Sequence, residues 1–500
     1  MKTTPPDSSQ SASLLRSKLF WVGILYFAEG FPLGIFYDIF PVLFRQQGVE
    51  LWKIGFMSLL GLAWTLKFIW APAVDRYRHH RRWMALVDLG MGGVMIIFAL
   101  HTDFGAWVWF GIGLFTLLSA THDIAVDGYT IEMLDRHQYG VANGLRIGFY
   151  RVGMLAAGFL LILSDYIGWA GTFVIAFALF ALLAALSLRA PSEQIIPPTA
   201  DLHPTTLRHE LQAILRQPWA MALVVLFILG TLWLAESKLH WSDRYPLFWF
   251  IAAGIALLPP LFSLYFARKK RQQLGAEAEI SLTTLRNGPM FGALFELLSR
   301  PLMLPIILFI LIFKLGDSSM GFMIKPFWVD AGFSASEIGL VSVNIGLVLS
   351  IAGGIVGGWI TDRIGIFHGL WSLGLAQAFS NLGYAYAAAT ISIGANGGEM
   401  ALEETILIYS ASGLESFTGG LGTAAFLAFL MAITNRQRAA TEYAILSSIF
   451  ALSRSLAGWA GGFGAEMMGY APYFLLTFFL AFPAYLLLPQ IYKTLRNQAP

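Results

Sequence analysis

Cysteine is absent from the 500 residues of this chain, and charged residues make up only 12% of it. Without cysteine there is no disulfide, no thiolate nucleophile and no Cys-ligated metal. Soluble domains carry roughly 25% charged residues, so a chain that is also 57% hydrophobic is expected to lie in a lipid bilayer. The net charge of +2 leaves no basic excess for binding nucleic acid.

Short catalytic motifs are also missing. The sequence contains no HExxH, no GxSxG and no P-loop, and its nine histidines are scattered without metal-ligand spacing. The sequence therefore predicts neither an enzyme nor a metal site, and it calls for no cofactor.

Long apolar runs dominate what is present. A bilayer core needs about 20 apolar residues per helix. Runs of that length lie in a first set at 20–44, 54–72, 83–101, 104–134, 141–164 and 169–188, and in a second set at 302–325, 336–358, 367–389, 404–432, 441–464 and 470–490. Two more lie between the sets, at 218–236 and 246–267. The pattern predicts an all-α membrane protein of fourteen transmembrane helices.

The same pattern divides the chain into five parts. We predict a cytoplasmic tail at 1–19, an N-terminal six-helix half at 20–189, a linker at 190–301, a C-terminal six-helix half at 302–490 and a cytoplasmic tail at 491–500. The linker holds the two inserted helices and a candidate interfacial helix in SLTTLRNGPMFGALFELLSR. An accessory packing role and a regulatory role are both open for it.

Basic residues orient the helices. They cluster in the loops that follow the second helix and the second inserted helix, at Arg76, Arg78, Arg81, Arg82, Arg268, Lys269, Lys270 and Arg271. Arg363, Arg436 and Arg438 fall on the same side. By the positive-inside rule these loops and both termini are cytoplasmic.

The two six-helix sets are similar in sequence. Residues 40–60 align without gaps to residues 324–344, with Gly48 over Gly332. Apolar helices align easily with one another, but the shared polar residues at matching offsets favour a true repeat. Two six-helix halves around an axis along the membrane normal are the plan of major facilitator transporters, in which substrate binds between the halves.

The second helix of each half ends in an Asp-Arg pair. The pair is Asp75-Arg76 in the first half and Asp362-Arg363 in the second. An aspartate at a helix end can pair with an arginine or a helix N-terminus in one conformation and release it in the other. We therefore predict a gating role for these four residues. Simple anchoring of the loops by positive charge is the alternative.

Asp123 and Asp127 lie on one helical face, one turn apart, in a segment that is otherwise built to avoid water. Two carboxylates that lie so close together do not both ionise easily in a low-dielectric cavity. Either the pair exchanges a proton during transport, or it forms a permanent ionic latch with Arg146 or Arg151. Asp123 lies about 17 Å from the cytoplasmic end of its helix and Asp127 about 11 Å, so Asp123 is the better proton carrier.

Other charged residues inside the spans complete the candidate site. Glu29 lies beside Gly30, Pro32 and Gly34, where the first helix is expected to kink and line a cavity; capping of Glu29 by a neighbouring helix is the alternative. The residues predicted to couple protons are Asp123, Asp127, Glu29 and Asp317. Those predicted to bind substrate are Arg151, Lys314, Arg454, Glu415, Gln377, Asn381 and Asn344. Arginines suit the bidentate recognition of carboxylate or phosphate, whereas Lys67 is expected to snorkel to the interface.

Several stretches resemble the peptide and acetyl-CoA transporter family of the major facilitators, which includes the AmpG muropeptide permeases. They are FAEGFPLG, SLLGLAWTLKFIWAPAVDRY, DIAVDGYTIEML, FKLGDS and ESFTGGLGTAAFLAFLMAITN. The resemblance covers roughly residues 20–190 and 302–490, and it departs from the permeases at Glu29.

The resemblance implies a multi-pass protein of the bacterial inner membrane that imports an anhydro-muropeptide together with protons. Such a ligand, a GlcNAc-anhydroMurNAc sugar with or without its peptide, enters from the periplasm. The implied partners are an anionic sugar-peptide, protons and the lipid bilayer. Transport of a siderophore or of acetyl-CoA stays open, as does a non-transporting role in membrane assembly.

The predicted topology can be checked with fused reporters. Reporters at both termini and near residue 272 should report the cytoplasm, and one near residue 332 should report the periplasm, because the inserted pair crosses out and back. A periplasmic signal near residue 272 would show that the inserted segments do not form two spans.

Overall fold

The computed structural model describes residues 17–67, 70–71, 74, 79–101, 104–134, 139–192, 297, 300, 302–391, 401–434 and 439–498. These residues are almost entirely helical. Contacts place both six-helix halves in one compact unit, and residues 196–303 with 436–442 in a second. Most of the second unit, including the predicted inserted helices at 218–236 and 246–267, lies outside the described residues.

The N-terminal half begins with α1, which consists of Lys18–Gly34, a π-helical segment Ile35–Ile39 and Phe40–Gln46. It continues with α2 (Leu51–Leu60 and Leu62–Leu66), α3 (His80–Leu100) and α4 (Ala106–Met133). The last helical range, Tyr139–Arg189, is broken at Gly168, whose φ of 72° is left-handed. We name the two parts α5 (139–167) and α6 (169–189).

The C-terminal half repeats this order. It contains α7 (Met303–Ile312 and Leu315–Asp330) and α8 (Ala335–Glu337, a π-helical segment Ile338–Ile345, and Gly346–Ile364). Next come α9 (Ile366–Thr390), α10 (Leu402–Ile433) and α11 (Ala439–Met468). The half ends with α12 (Tyr470–Leu480), a 3₁₀ turn (Phe482–Leu487) and α13 (Leu488–Gln498).

The described helices agree with the spans predicted from the sequence to within a few residues at most ends. Among the described residues, eight helical ranges are long and apolar enough to cross a bilayer, and Leu51–Leu66 is a shorter apolar helix. The chain is therefore a multi-pass membrane protein. The domain boundaries near residues 189 and 301 stay predictions.

Four turns with left-handed glycines mark one end of the bundle. Gly48, Gly168, Gly332 and Gly469 join α1 to α2, α5 to α6, α7 to α8 and α11 to α12, each with φ between 72° and 92°. Residues other than glycine rarely adopt this conformation. We call this the Gly48 end; the sequence predicts that it faces the periplasm.

Small residues set the closest helix contacts. A side chain at Gly30 would overlap the backbone of Tyr150, and one at Gly153 would overlap the backbone of Phe27, so α1 and α5 touch through their main chains. Close packing of α1 on α5 therefore explains Gly30, which the sequence had suggested as a weak point beside Glu29. The irregular backbone of α1 falls instead one turn after Pro32, in the π-helical segment.

The small-residue run of α10 packs against α8 in the same way. A Cβ at Gly353 would overlap the carbonyl oxygen of Phe417, whereas a Cβ at the adjacent Gly354 meets no atom within 4 Å. The hydrophobic effect does not draw helices together within a membrane, and close van der Waals packing at small residues takes its place.

These neighbouring glycines give a matched test of the packing. We expect Gly353→Ala to lower the melting temperature of the purified protein, because inserting a methyl group into a filled contact costs typically 1–3 kcal/mol. Gly354→Ala should leave it unchanged or raise it slightly, since alanine favours the helix by about 1 kcal/mol. Equal melting temperatures would contradict the described contact of α8 with α10.

Candidate functional site

A cavity of about 410 Å³ lies between the two halves. Its lining comes from α1, α5, α7, α8, α10 and α11, which places it where major facilitators bind substrate. The charged residues that line it are Asp38, Arg151, Lys314, Asp317, Lys325, Glu415 and Arg454. Two aromatic residues, Tyr37 and Tyr150, face it from the N-terminal half.

Lys314 lies at the break between the two helical segments of α7, in a non-helical conformation with ψ near 18°. Its ammonium group donates to Thr423 Oγ1 at 2.7 Å and to the carbonyl oxygen of Gly419 at 3.4 Å, and it pairs with Asp317 at 3.2 Å. Lys314 is only 4% exposed. Discontinuous helices of this kind commonly form binding sites in transporters.

A second ion pair in the cavity joins the two halves. Lys325 Nζ of α7 lies 3.5 Å from Asp38 Oδ1 of α1, and it donates to the hydroxyl of Ser342 on α8 at 2.7 Å.

Two arginines and one glutamate complete the charges of the cavity. Arg454 lies over the ring of Tyr37, 4.9 Å from its centroid. Among the described side chains, no carboxylate lies within 4 Å of Arg151 or Arg454, and no cation lies within 4 Å of Glu415. With four cations against three carboxylates, the cavity has an excess positive charge and favours an anionic ligand.

A cluster of ionisable groups lies in the N-terminal half, outside the cavity lining. Asp123 of α4 is 5% exposed and pairs with Lys67 of α2 at 3.4 Å. Asp127, one turn further along α4, pairs with Arg146 of α5 at 3.1 Å and accepts a hydrogen bond from the hydroxyl of Tyr26 at 2.9 Å. Lys67 thus faces Asp123, and its extension to the membrane interface stays a prediction.

Glu29 belongs to the same region. It is 5% exposed, and it lies three residues after Tyr26 on the same face of α1. The backbone of Tyr150 touches Gly30, next to Glu29, and Tyr150 is one turn from Arg146 on α5. Since Tyr150 also lines the cavity, the cluster and the cavity are neighbours along α5.

Three amides that the sequence suggested for substrate binding lie in contacts between helices. Asn381 donates to Thr477 of α12 at 3.3 Å, and Gln377 packs against Gly422 of α10. Asn344 packs against Gly158 of α5, in the other half. The three amide side chains point from α8 and α9 into packed interfaces. These helices are apolar on all sides, so the sequence does not show which way a side chain points. None of the three is part of the cavity lining, and their role in substrate binding stays a prediction, as does that of Arg151, Lys314, Arg454 and Glu415, which do line it.

The predicted gating residues are described only in the C-terminal half. Asp75 and Arg76 lie outside the described residues. Asp362 and Arg363 are exposed at the end of α8, and the guanidinium of Arg363 lies 4.0 Å from the ring centroid of Trp359. In the described conformation Arg363 therefore contacts an aromatic ring, and its gating role stays a prediction.

Polar contacts between the halves are concentrated at the Gly48 end. Arg45 pairs with Asp330 at 2.6 Å, and the hydroxyl of Tyr470 donates to the same carboxylate. The backbone N–H of Leu51 donates to Glu466 at 2.8 Å, and that of Ser336 donates to Asp165 at 2.6 Å. The structure therefore describes a conformation that is closed at the Gly48 end.

Sequence reasoning missed one buried pair. His122 Nε2 of α4 lies 3.4 Å from Asp88 Oδ1 of α3, and both side chains are wholly buried. The signal was present, because Asp88 interrupts an apolar span and His122 directly precedes Asp123.

Comparisons with known proteins agree with this architecture. Residues 54–241 match the family model of the Major Facilitator Superfamily. The chain is 26% identical over 486 residues to the anhydromuropeptide permease of Escherichia coli K12, covering 94% of this chain and 79% of that protein. It is 24% identical to a putative transporter AmpG 4 of Rickettsia conorii, covering 94% and 95% of the two chains.

Solved structures with the same fold include two transporters. A bacterial homolog of the human lysosomal transporter Spinster superposes with a TM-score of 0.63 at 13% identity, over 98% of this chain and 99% of that one. The nucleoside transporter NupG, in a point-mutant form, superposes with a TM-score of 0.57 at 13% identity, over 96% and 100%. The chain therefore has the major facilitator fold and resembles the AmpG-like permeases.

Proposed function

We propose that this AmpG-like transporter imports anhydro-muropeptides, GlcNAc-anhydroMurNAc with or without its peptide, from the periplasm to the cytoplasm together with protons. It would lie in the bacterial inner membrane with both termini in the cytoplasm. The observation that carries the proposal is the cavity between the halves, in which Arg151 and Arg454 have no described acidic partner. Similarity to the anhydromuropeptide permease supports the choice of ligand.

The cavity suits such a ligand in chemical terms. The arginines offer planar donors for a carboxylate, and serine and threonine hydroxyls in the lining, from Ser318, Ser350 and Thr423, suit the hydroxyl groups of a sugar. Tyr37 and Tyr150 add apolar faces with a polar tip.

The cluster of ionisable groups around Asp123, Asp127 and Glu29, which we call the acid cluster, is the proposed site of proton coupling. Asp123 is the more buried of the two aspartates and is held by a single cation, Lys67, at 3.4 Å. Asp127 is fixed by both Arg146 and Tyr26, which suits a permanent structural contact. We therefore assign the exchanged proton to Asp123, with Glu29 as its buried neighbour.

Uptake into proteoliposomes tests the function directly. Labelled GlcNAc-anhydroMurNAc should accumulate when an inward proton gradient is imposed and only equilibrate without one. Asp123→Asn should abolish accumulation yet keep binding and exchange, because the amide imitates the protonated acid. Asp127→Asn should instead lower thermal stability, because Arg146 loses its partner.

The exposed acid Glu403 at the start of α10 gives the control, and Glu403→Gln should transport like the parent. Accumulation by Asp123→Asn at the parent rate would remove it as the proton carrier. Uptake of a siderophore or of acetyl-CoA in place of the disaccharide would refute the proposed substrate.

The affinity for the disaccharide should fall even when either cavity arginine is replaced by lysine. Arg151→Lys and Arg454→Lys should each weaken binding of the disaccharide roughly tenfold, since a point charge replaces a two-pronged donor. Ligand-dependent shifts in melting temperature measure the affinity. Arg496→Lys, on the exposed face of α13, should have no effect, and unchanged affinity in both cavity variants would exclude them from the site.

A further inference from the structure

The pair of Asp38 and Lys325 has a position that no other described ion pair shares, because it joins the two halves inside the cavity. Both residues line the cavity, and they are 8% and 9% exposed. The other described ion pair between the halves, Arg45 with Asp330, lies at the Gly48 end and outside the lining. Asp38 and Lys325 are thus the ionic contact between the halves that a ligand in the cavity can reach.

The backbone around the pair is irregular on both sides. Asp38 lies in the π-helical segment Ile35–Ile39, and Ser342, which holds Lys325, lies in the π-helical segment Ile338–Ile345. Lys325 itself precedes Pro326 within α7. π-Helical turns are rare and occur frequently at functional sites, and here two of them meet at one lysine.

The distances show which partner anchors the lysine. The hydroxyl of Ser342 lies 2.7 Å from Nζ, whereas the carboxylate of Asp38 lies 3.5 Å away, beyond ordinary hydrogen-bond length. By contrast, Arg45 and Asp330 approach to 2.6 Å. An ammonium group has three donors, so Lys325, anchored by Ser342, can exchange the distant carboxylate for another anion.

We propose that Lys325 binds the anionic group of the substrate by exchanging Asp38 for it, and that this exchange unties α1 from α7. A ligand shifts a conformational equilibrium only by its difference in affinity for the two states. An anion that replaces Asp38 binds the untied state better, so the transported anion weakens the contact of α1 with α7. We call the ionic contact of Asp38 with Lys325 the tie. The identity of the anion rests on the proposed function, but the existence of the tie does not.

A measurement without ligand tests the tie. Because the chain has no cysteine, spin labels can be placed at Tyr166→Cys and Met467→Cys, which are 79% and 83% exposed at the Gly48 ends of α5 and α11. Asp38→Asn and Lys325→Gln should each lengthen the label distances, and the double variant should lengthen them no more than one single change. Lys493→Gln, on exposed α13, is the matched control and should change nothing.

A measurement with ligand tests the exchange. The probes are GlcNAc-anhydroMurNAc and its neutral carboxamide. The parent should bind the acid more tightly than the amide, and Lys325→Gln should reduce that preference to the part that Arg151 and Arg454 supply. Asp38→Asn, which removes the competing carboxylate, should bind the acid about fivefold more tightly than the parent.

The outcomes separate the two proposals. If Asp38→Asn weakens binding of the acid, or if the label distances stay at parent values in all variants, the pair is a fixed structural contact and the exchange is wrong. If the parent protein binds neither probe, the proposed substrate is wrong, and the ligand-free distances alone decide whether the tie exists. The double variant leaves no unpaired buried charge, so it reports on the tie even if one single variant does not fold.

Discussion

The cost of placing charge in a hydrocarbon environment governs this molecule. An aspartate, lysine or arginine at the centre of a spanning helix costs roughly 2.5–3.5 kcal/mol, so such a residue needs a partner or a polar cavity. In the described structure four carboxylates within the spans pair with a lysine or an arginine: Asp123 with Lys67, Asp127 with Arg146, Asp317 with Lys314 and Asp38 with Lys325. Glu29 is the exception, since it is buried and no cation lies within 4 Å of it among the described side chains. Three charges without an ion-pair partner among the described side chains, Arg151, Arg454 and Glu415, line the cavity, and the two arginines are the reason that we propose it as the site for an anion.

The sequence repeat has a physical counterpart in the contacts between the halves. The offset that places Gly48 over Gly332 also places Gly55 over Gly339, and each of these glycines packs against the opposite half, at Gly462 and Gly158 respectively. Likewise a carboxylate at the end of α5 accepts from the start of α8, and one at the end of α11 accepts from the start of α2. Unpaired N–H groups at a helix start favour a negative charge, so two equivalent contacts close the Gly48 end from both sides of the pseudo-twofold axis.

The sequence predicted the helices and the buried charges well, because both follow from the energetics of the bilayer. Helix length comes from bilayer thickness, and a charge in an apolar run is conspicuous whatever its partner. The partners of these charges were harder to predict. The sequence offered Arg146 or Arg151, across a short turn, as partners for the two aspartates of α4, but Lys67 and Asp123 lie 56 residues apart in the chain. Side-chain direction was harder still, since the sequence does not show that Asn344, Gln377 and Asn381 pack against α5, α10 and α12. Neither π-helical segment has a sequence signature of its own.

One helix, α5, connects the parts of this arrangement. It carries Arg146 of the acid cluster, Tyr150 and Arg151 of the cavity lining, and Asp165 of the closed Gly48 end. From Arg146 to Asp165 is roughly 28 Å of rigid helix at about 1.5 Å per residue. Its main chain touches α1 at Gly30, so it cannot slide there without moving α1 as well. The contact of Asp127 with Arg146 therefore joins α4 to the same rigid helix that lines the cavity and holds the Gly48 end closed. The inter-half pair of Asp38 and Lys325 acts on α1, the helix against which α5 is packed, so a change at that pair bears on the same two helices that line the cavity from the N-terminal half.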